Sequence, residues 1–229
     1  MIFPVSRLNT FIKNGGLNSG IFSVWGAFGV GKTTFALQTA LKSAKVGSKV
    51  IYLYTKLNLP FPKIRNLFKN NIESLDKFIV IQPIDFDDLT KIIFNLEFLI
   101  LTNDNEKEDS YKLIVIDSLT DLYRIGLNRE RKAINYDLNY QLNQILANLS
   151  YLNKSYSLDV LIVNETTKRR TNDHFIEKQS GGKVMEYWIS TNFKIERTNK
   201  NNTRNIFLEE RFENKRIQFE STLTESGFF

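Results

Sequence analysis

The sequence predicts an α/β fold built on a mainly parallel, twisted sheet flanked by helices. Short apolar runs recur along the chain, and the segments between them carry apolar residues at helical spacing, as crossover helices between parallel strands do. Hydrophobic residues make up 42% of the 229 positions, which leaves enough apolar surface for a substantial core. No proline-rich linker or internal repeat interrupts the chain, so residues 1–229 are expected to form a single domain.

The parallel strands are expected where β-branched and aromatic residues concentrate. These segments are 21–25, 49–54, 78–81, 112–116 and 159–163. Between 138 and 152, leucine or isoleucine recurs every three or four residues, which predicts a long helix with one apolar stripe against the sheet. This stripe is interpreted as packing rather than as a cofactor site.

The C-terminal part of the chain has a different pattern. Alternating segments over 188–197 and 205–211 are joined by the asparagine-rich stretch 198–203, which is typical of a turn. These residues predict antiparallel strands at the C-terminal edge of the sheet.

Composition excludes several kinds of chemistry. Cysteine is absent and His174 is the single histidine, which removes disulfides, thiolate metal sites, cysteine nucleophiles and histidine-rich metal sites. No apolar run reaches the roughly 20 residues that span a bilayer, so a cytoplasmic protein without a membrane partner is expected. The formal net charge of +6 is carried by two short segments, 124–132 and 168–183, and suggests an anionic partner.

A phosphate-binding loop is predicted where the first apolar strand ends and a helical pattern begins. The segment 26–33 fits the pattern G-x-x-x-x-G-K-[ST], in which backbone amides and a helix N-terminus surround phosphate oxygens. Lys32 is expected to reach the terminal phosphates and to be catalytic, and Thr33 to bind a Mg²⁺ ion that bridges them. The residues predicted to bind the nucleotide here are Gly26, Phe28, Gly29, Val30, Gly31, Lys32, Thr33 and Thr34.

A carboxylate near the same metal is expected from a second element. The apolar run 113–116 ends in Asp117, as in a Walker B strand. Asp117 is therefore predicted to contact the nucleotide site and to bind Mg²⁺ together with Thr33. The two motifs predict a protein that binds ATP with Mg²⁺.

Several segments, in the same order, resemble RecA-like recombinases of the archaeal RadA and RadB type. The resemblance covers the segment 8–20 that leads into the phosphate-binding loop, the Asp117-Ser118 pair with its following residues, and the glycines Gly181 and Gly182. It extends over nearly the whole chain and implies a RecA-like ATPase core. The absence of a DNA-binding domain ahead of this core resembles RadB and other paralogs.

The resemblance also implies two DNA-contacting loops, one after the Walker B strand and one before the glycine pair. Basic clusters fall in both, and phosphate neutralisation by such clusters gives salt-sensitive affinity without sequence preference. His174 and Phe175 are candidates for stacking on bases. The residues predicted to bind single-stranded DNA are Arg124, Arg129, Arg131, Lys132, Lys168, Arg169, Arg170 and Lys183.

The sequence departs from the family at two catalytic positions. The family carries a water-activating glutamate where this chain has Lys56, and a glutamine that senses the γ-phosphate where it has Glu165. A lysine is a poor general base at neutral pH. Two interpretations remain open: Glu165 is a catalytic carboxylate that approaches the water from the other side, or the chain binds ATP and hydrolyses it slowly.

The expected function is that of a RadB-like accessory protein in homologous recombination and DNA repair. It is expected to bind single-stranded DNA, the main RadA-type recombinase or another paralog. No convincing Phe-x-x-Ala tethering segment precedes the core, so self-assembly into filaments is not expected. The alternative from another class is a KaiC-like regulatory ATPase that acts on protein partners, with its basic loops merely solvated. An active strand-exchange recombinase is a third hypothesis, which the missing DNA-binding domain and Lys56 argue against.

Overall fold

The computed structural model describes residues 1–12, 19–69, 72–102, 110–128, 130–170, 175–210 and 216–229. The helices of these residues are α1 (Ser6–Phe11), α2 (Lys32–Lys45), α3 (Phe61–Phe68), α4 (Phe86–Thr102), α5 (Leu119–Gly126), α6 (Lys132–Tyr156) and α7 (Gly182–Trp188), with a 3₁₀ turn at Ile72–Lys77. The strands are β1 (Ile21–Gly26), β2 (Lys49–Tyr54), β3 (Phe78–Ile81), β4 (Tyr111–Asp117), β5 (Asp159–Arg170), β6 (Phe175–Gln179), β7 (Thr191–Arg197), β8 (Thr203–Glu210), β9 (Arg216–Thr224) and β10 (Gly227–Phe228).

One twisted sheet organises the molecule. Its strand order is β10-β9-β8-β7-β1-β5-β4-β2-β3, and β6 pairs with the far end of β5. Strands β7, β1, β5, β4, β2 and β3 are parallel to one another, whereas β7 through β10 pair antiparallel. The predicted α/β class, with its mainly parallel sheet and antiparallel C-terminal edge, is confirmed.

Two hydrophobic clusters cover the two faces of the sheet. On one face, Phe35 of α2 packs against the rings of Phe3, Phe193 and Phe228, and on the other face α4 and α6 cover the strands. The predicted leucine stripe of α6 belongs to the second cluster, in which the residues at 142, 145, 149 and 152 are fully buried. The interpretation of this stripe as packing is confirmed.

The C-terminal third differs from the sequence prediction in two respects. The predicted strand over 188–197 is wrong at its start, because Trp188 ends helix α7 and the strand begins only at Thr191. A seven-residue helix is too short for its apolar spacing to be told from strand alternation. Strand β5 also continues to Arg170 and turns back as β6, and neither β6 nor the β9–β10 hairpin was predicted.

None of the helices within the described residues is both long enough and apolar enough to cross a membrane.

Candidate nucleotide-binding site

The candidate site lies where the central parallel strands reach their carboxyl ends. Strand β5 lies between β1 and β4, with Gly26 opposite Glu165 and Asp117 opposite Val163. Ligands of open α/β sheets bind outside this edge. The edge therefore brings together the end of β1, the Walker B aspartate and Glu165.

The loop after β1 ends in the N-terminus of α2. Gly31 is the residue before the helix, and its backbone is left-handed with φ of +108°. This φ strains any residue that has a Cβ atom, and a Cβ here would also lie 2.7 Å from a Leu223 methyl carbon, so glycine is strongly favoured. The first turn of α2 contains no acidic residue, so no carboxylate of the helix itself opposes an anion at its positive end. This geometry suits a bound phosphate group.

Lys32 is held inside the loop by three acceptors. Its Nζ donates to the carbonyl oxygens of Gly26 and Ala27 at 2.9 and 3.1 Å, and to Glu165 Oε2 at 3.0 Å. The Lys32 side chain is only 5% exposed, and that of Glu165 is 17% exposed. A phosphate group that bound to Lys32 would therefore compete with the Glu165 carboxylate.

Asp117 is fully buried beneath the loop. The Tyr52 hydroxyl donates to Asp117 Oδ2 at 3.0 Å, and the Lys56 ammonium lies 3.4 Å from Oδ1. Burial, together with the adjacent Asp117 carboxylate, raises the pKa of Tyr52 well above its usual value, so its hydroxyl stays protonated and donates. Among the residues that the structure describes, Asp117 Oδ1 has no hydrogen-bond partner.

A cleft of about 740 Å³ opens over the loop. Most of the predicted nucleotide-binding residues line it, whereas Gly26, Val30 and Asp117 do not, since Val30 packs into the core and Asp117 lies below the floor. The predicted residues that line the cleft are Phe28, Gly29, Gly31, Lys32, Thr33, Thr34 and Glu165. The other lining residues are Lys56, Lys63, Asn202, Arg204, Leu223, Thr224 and Glu225.

Sequence reasoning did not identify the cations that surround the loop. Lys63 Nζ donates to Thr34 Oγ1 at 2.9 Å, and burial lowers the pKa of Lys63. Arg204 Nε donates to the Val30 carbonyl at 3.2 Å, and Arg197 Nη2 to the Phe28 carbonyl at 3.2 Å. The two arginines come from β7 and β8, and no local pattern links those strands to a loop so far away in the chain.

A buried polar network connects the site with the β5–β6 hairpin. Asn164 Nδ2 donates to the Ser180 carbonyl at 2.8 Å, while its Oδ1 accepts the Glu165 amide at 2.9 Å and the Thr120 hydroxyl. Asn164 is fully buried, so these bonds fix the end of β6 and the start of α5 relative to Glu165.

Those predicted DNA-binding residues that the structure describes lie on elements at the same edge of the sheet. Helix α5 follows the carboxyl end of β4, α6 begins beyond it, and α7 begins where β6 returns. Arg129 and His174 lie outside the described residues, and for Arg169, Arg170 and Phe175 only the backbone in β5 and β6 is described. Of the predicted DNA-binding residues, those whose side chains are described and exposed are Arg124, Arg131, Lys132, Lys168 and Lys183.

The fold and the phosphate-binding loop define a RecA-like P-loop core. A family model described as Rad51 matches residues 5–212, and the chain belongs to this family. The protein is thus a RecA-like paralog of the RadA/RadB type, in the class of DNA recombination and repair proteins, as the motifs predicted. RecA-like proteins of the Rad51 family generally bind ATP with Mg²⁺.

Relatives named DNA repair and recombination protein RadB resemble most of the chain. The protein from Methanosphaera stadtmanae is 28% identical over 200 residues, which cover 86% of this chain and 82% of its own length. The protein from Methanocaldococcus jannaschii is 33% identical over 187 residues, covering 81% and 82%. The protein from Thermococcus sibiricus is 30% identical over 159 residues, covering 67% and 63%.

Proposed function

We propose that this chain is a single-domain, ATP-binding accessory protein of homologous recombination that attaches to single-stranded DNA. The observation that carries the proposal is the shared edge of the sheet: a phosphate-binding loop with a buried lysine opens beside exposed basic side chains. A main RadA-type recombinase or another paralog is the proposed protein partner in the cytoplasm.

The bound nucleotide is proposed to act as a switch. A triphosphate over the amides of 27–33 takes Lys32 as a partner and thereby releases Glu165, which Lys32 contacts at 3.0 Å. Glu165 lies in β5, only three residues before Lys168. Release of the Glu165 carboxylate therefore acts on the start of the proposed DNA-contacting hairpin.

Hydrolysis is expected to be slow, and Glu165→Gln is expected to lower it further. Lys56 stands where the family has its general base, and Asp117, Asp121 and Glu165 raise its pKa against the effect of burial, so it remains protonated. Absence of a general base lowers a rate by about 10²–10⁴-fold. The measurement is steady-state phosphate release by the wild type and Glu165→Gln, with ATP affinity determined for both.

The expected result is a low wild-type turnover that falls in Glu165→Gln while ATP binding is retained. The Lys32→Ala variant provides the background rate. A turnover comparable to that of an active recombinase, lost in Lys32→Ala and unchanged in Glu165→Gln, would contradict both the slow hydrolysis and the role of Glu165.

Binding to single-stranded DNA is expected to be salt-sensitive and to depend on the β5–β6 hairpin. Neutralising Lys168, Arg169 and Arg170 together removes up to three phosphate contacts, and each contact contributes about 0.7 to the slope of log affinity against log salt. We therefore expect the triple variant to bind at least about tenfold more weakly at low salt, with a shallower slope. Fluorescence polarisation of a labelled oligonucleotide at several salt concentrations measures both.

A matched control removes the same charge elsewhere. Lys45, Lys112 and Lys154 are exposed at the opposite edge of the sheet, at the end of α2, the start of β4 and the last turn of α6. Their triple neutralisation is expected to leave the salt slope near that of the wild type. Equal losses in the two triple variants would refute the proposed loop, and no DNA binding by the wild type would favour a regulatory ATPase.

Partner binding is tested by co-purification with the main recombinase of the host, with and without ATP and DNA. The proposal expects a complex whose amount depends on the nucleotide and no filaments of this chain alone. A chain that never retains the recombinase and forms filaments by itself would contradict the accessory role.

A further inference from the structure

The Lys56 ammonium lies between the two residues predicted to bind a metal ion. Its Nζ is 3.4 Å from Asp117 Oδ1 and donates to Thr33 Oγ1 at 3.5 Å. Lys56 also lines the cleft over the phosphate-binding loop together with Lys32 and Thr33. The chain therefore provides its own cation at the point where the Walker motifs converge.

Hydrogen bonds hold the backbone around Lys56 from two sides. The preceding Thr55 donates its amide to the Asp117 carbonyl at 2.8 Å, and its hydroxyl bonds to the Ser118 carbonyl at 2.8 Å. From the other side, Gln82 Nε2 donates to the carbonyl oxygens of Lys56 and Leu57 at 2.7 and 3.0 Å. Such bonds hold the Lys56 backbone against the Walker B strand, from which its side chain reaches Asp117.

Lys56 is also charged in this environment. It faces the Asp117 carboxylate at 3.4 Å, and the carboxylates of Asp121 and Glu165 also lie near it. The cation in turn offsets the repulsion that these three carboxylates would exert on a triphosphate in the adjacent cleft.

A hydroxyl and a carboxylate are suitable ligands for Mg²⁺, and Oδ1 of buried Asp117 faces a positive charge, the Lys56 ammonium at 3.4 Å. With Lys56 in place, however, these residues do not fit a divalent ion, because an ammonium already lies between them and would repel it. We propose that the Lys56 ammonium, held between Thr33 and Asp117, takes over the electrostatic role of Mg²⁺, so that this chain binds ATP with little dependence on divalent ions. This inference rests on the proposed nucleotide site.

The test compares ATP affinity with Mg²⁺ and with EDTA by isothermal titration calorimetry. For the wild type, we expect the two dissociation constants to agree within about threefold. In Lys56→Gln, binding in EDTA is expected to weaken until the Mg²⁺ preference reaches at least about tenfold, because the carboxylates then lack their cation. Lys56→Arg retains the charge and is expected to keep affinity in EDTA closer to that of the wild type.

Lys63→Gln is the matched control, since Lys63 lines the same cleft but donates to Thr34 rather than to a predicted metal ligand. It is expected to weaken ATP binding by a similar factor in both buffers. A wild type that binds ATP at least about tenfold better with Mg²⁺ would overturn the inference while the nucleotide site stands. Binding in neither buffer would overturn the nucleotide site itself. The ratio of the wild-type dissociation constants in the two buffers tests the inference even if a variant does not fold.

Discussion

Replacing Lys32 with alanine is expected to weaken ATP binding by about 100-fold or more, which corresponds to roughly 2.7 kcal/mol or more. Two effects combine. The phosphates lose charge-assisted hydrogen bonds from a lysine that is only 5% exposed, and the Glu165 carboxylate, 3.0 Å from Lys32 Nζ, is left to repel them. Calorimetric titration with ATP measures the loss.

Lys45→Ala is a matched control for this variant. Lys45 is exposed in the last turn of the same helix, so its removal changes the net charge equally without touching the cleft. We expect its ATP affinity to equal that of the wild type. If Lys32→Ala and Lys45→Ala bound ATP equally well, the phosphate-binding loop would not be the nucleotide site.

Replacing Phe35 with alanine is expected to lower the free energy of unfolding by about 3–5 kcal/mol. Phe35 is fully buried in α2, and its ring centroid lies 5.7, 5.9 and 5.8 Å from those of Phe3, Phe193 and Phe228. Removal of the ring leaves a cavity among aromatic groups from both ends of the chain. Denaturant unfolding followed by circular dichroism measures the change.

Phe98→Ala provides the same substitution on the surface. Phe98 lies on α4 and is 68% exposed, so its loss is expected to change the free energy of unfolding by no more than about 0.5 kcal/mol. Comparable destabilisation by the two substitutions would contradict the position of Phe35 at the centre of this core.

The sequence predicted those features whose signals are local. Strands at 49–54 and 78–81 were expected with the bounds that the structure has, because each is a short run of β-branched and aromatic residues. The turn at 26–33 was recognisable because its glycines, lysine and threonine stand at fixed spacing between a strand and a helix. Asp117 at the end of β4 followed from the same kind of local pattern.

The remainder of the site depends on contacts between distant parts of the chain. Arg204 supports the loop through the Val30 carbonyl across 174 positions, and residues 223–225 reach the cleft from a hairpin without a recognisable signal. Lys56 was noticed as a departure from the family, but only the geometry reveals its contact with Asp117. Pairing of this kind is set by tertiary packing, which no local pattern encodes.

The most direct test of this account is a crystal structure of the chain with a non-hydrolysable ATP analogue. We expect the triphosphate to lie over the amides of 27–33, with Lys32 Nζ on a phosphate oxygen and more than 4 Å from the Glu165 carboxylate, which it contacts at 3.0 Å in the present structure. An analogue bound elsewhere, or a cleft without nucleotide under saturating conditions, would contradict the proposed nucleotide site.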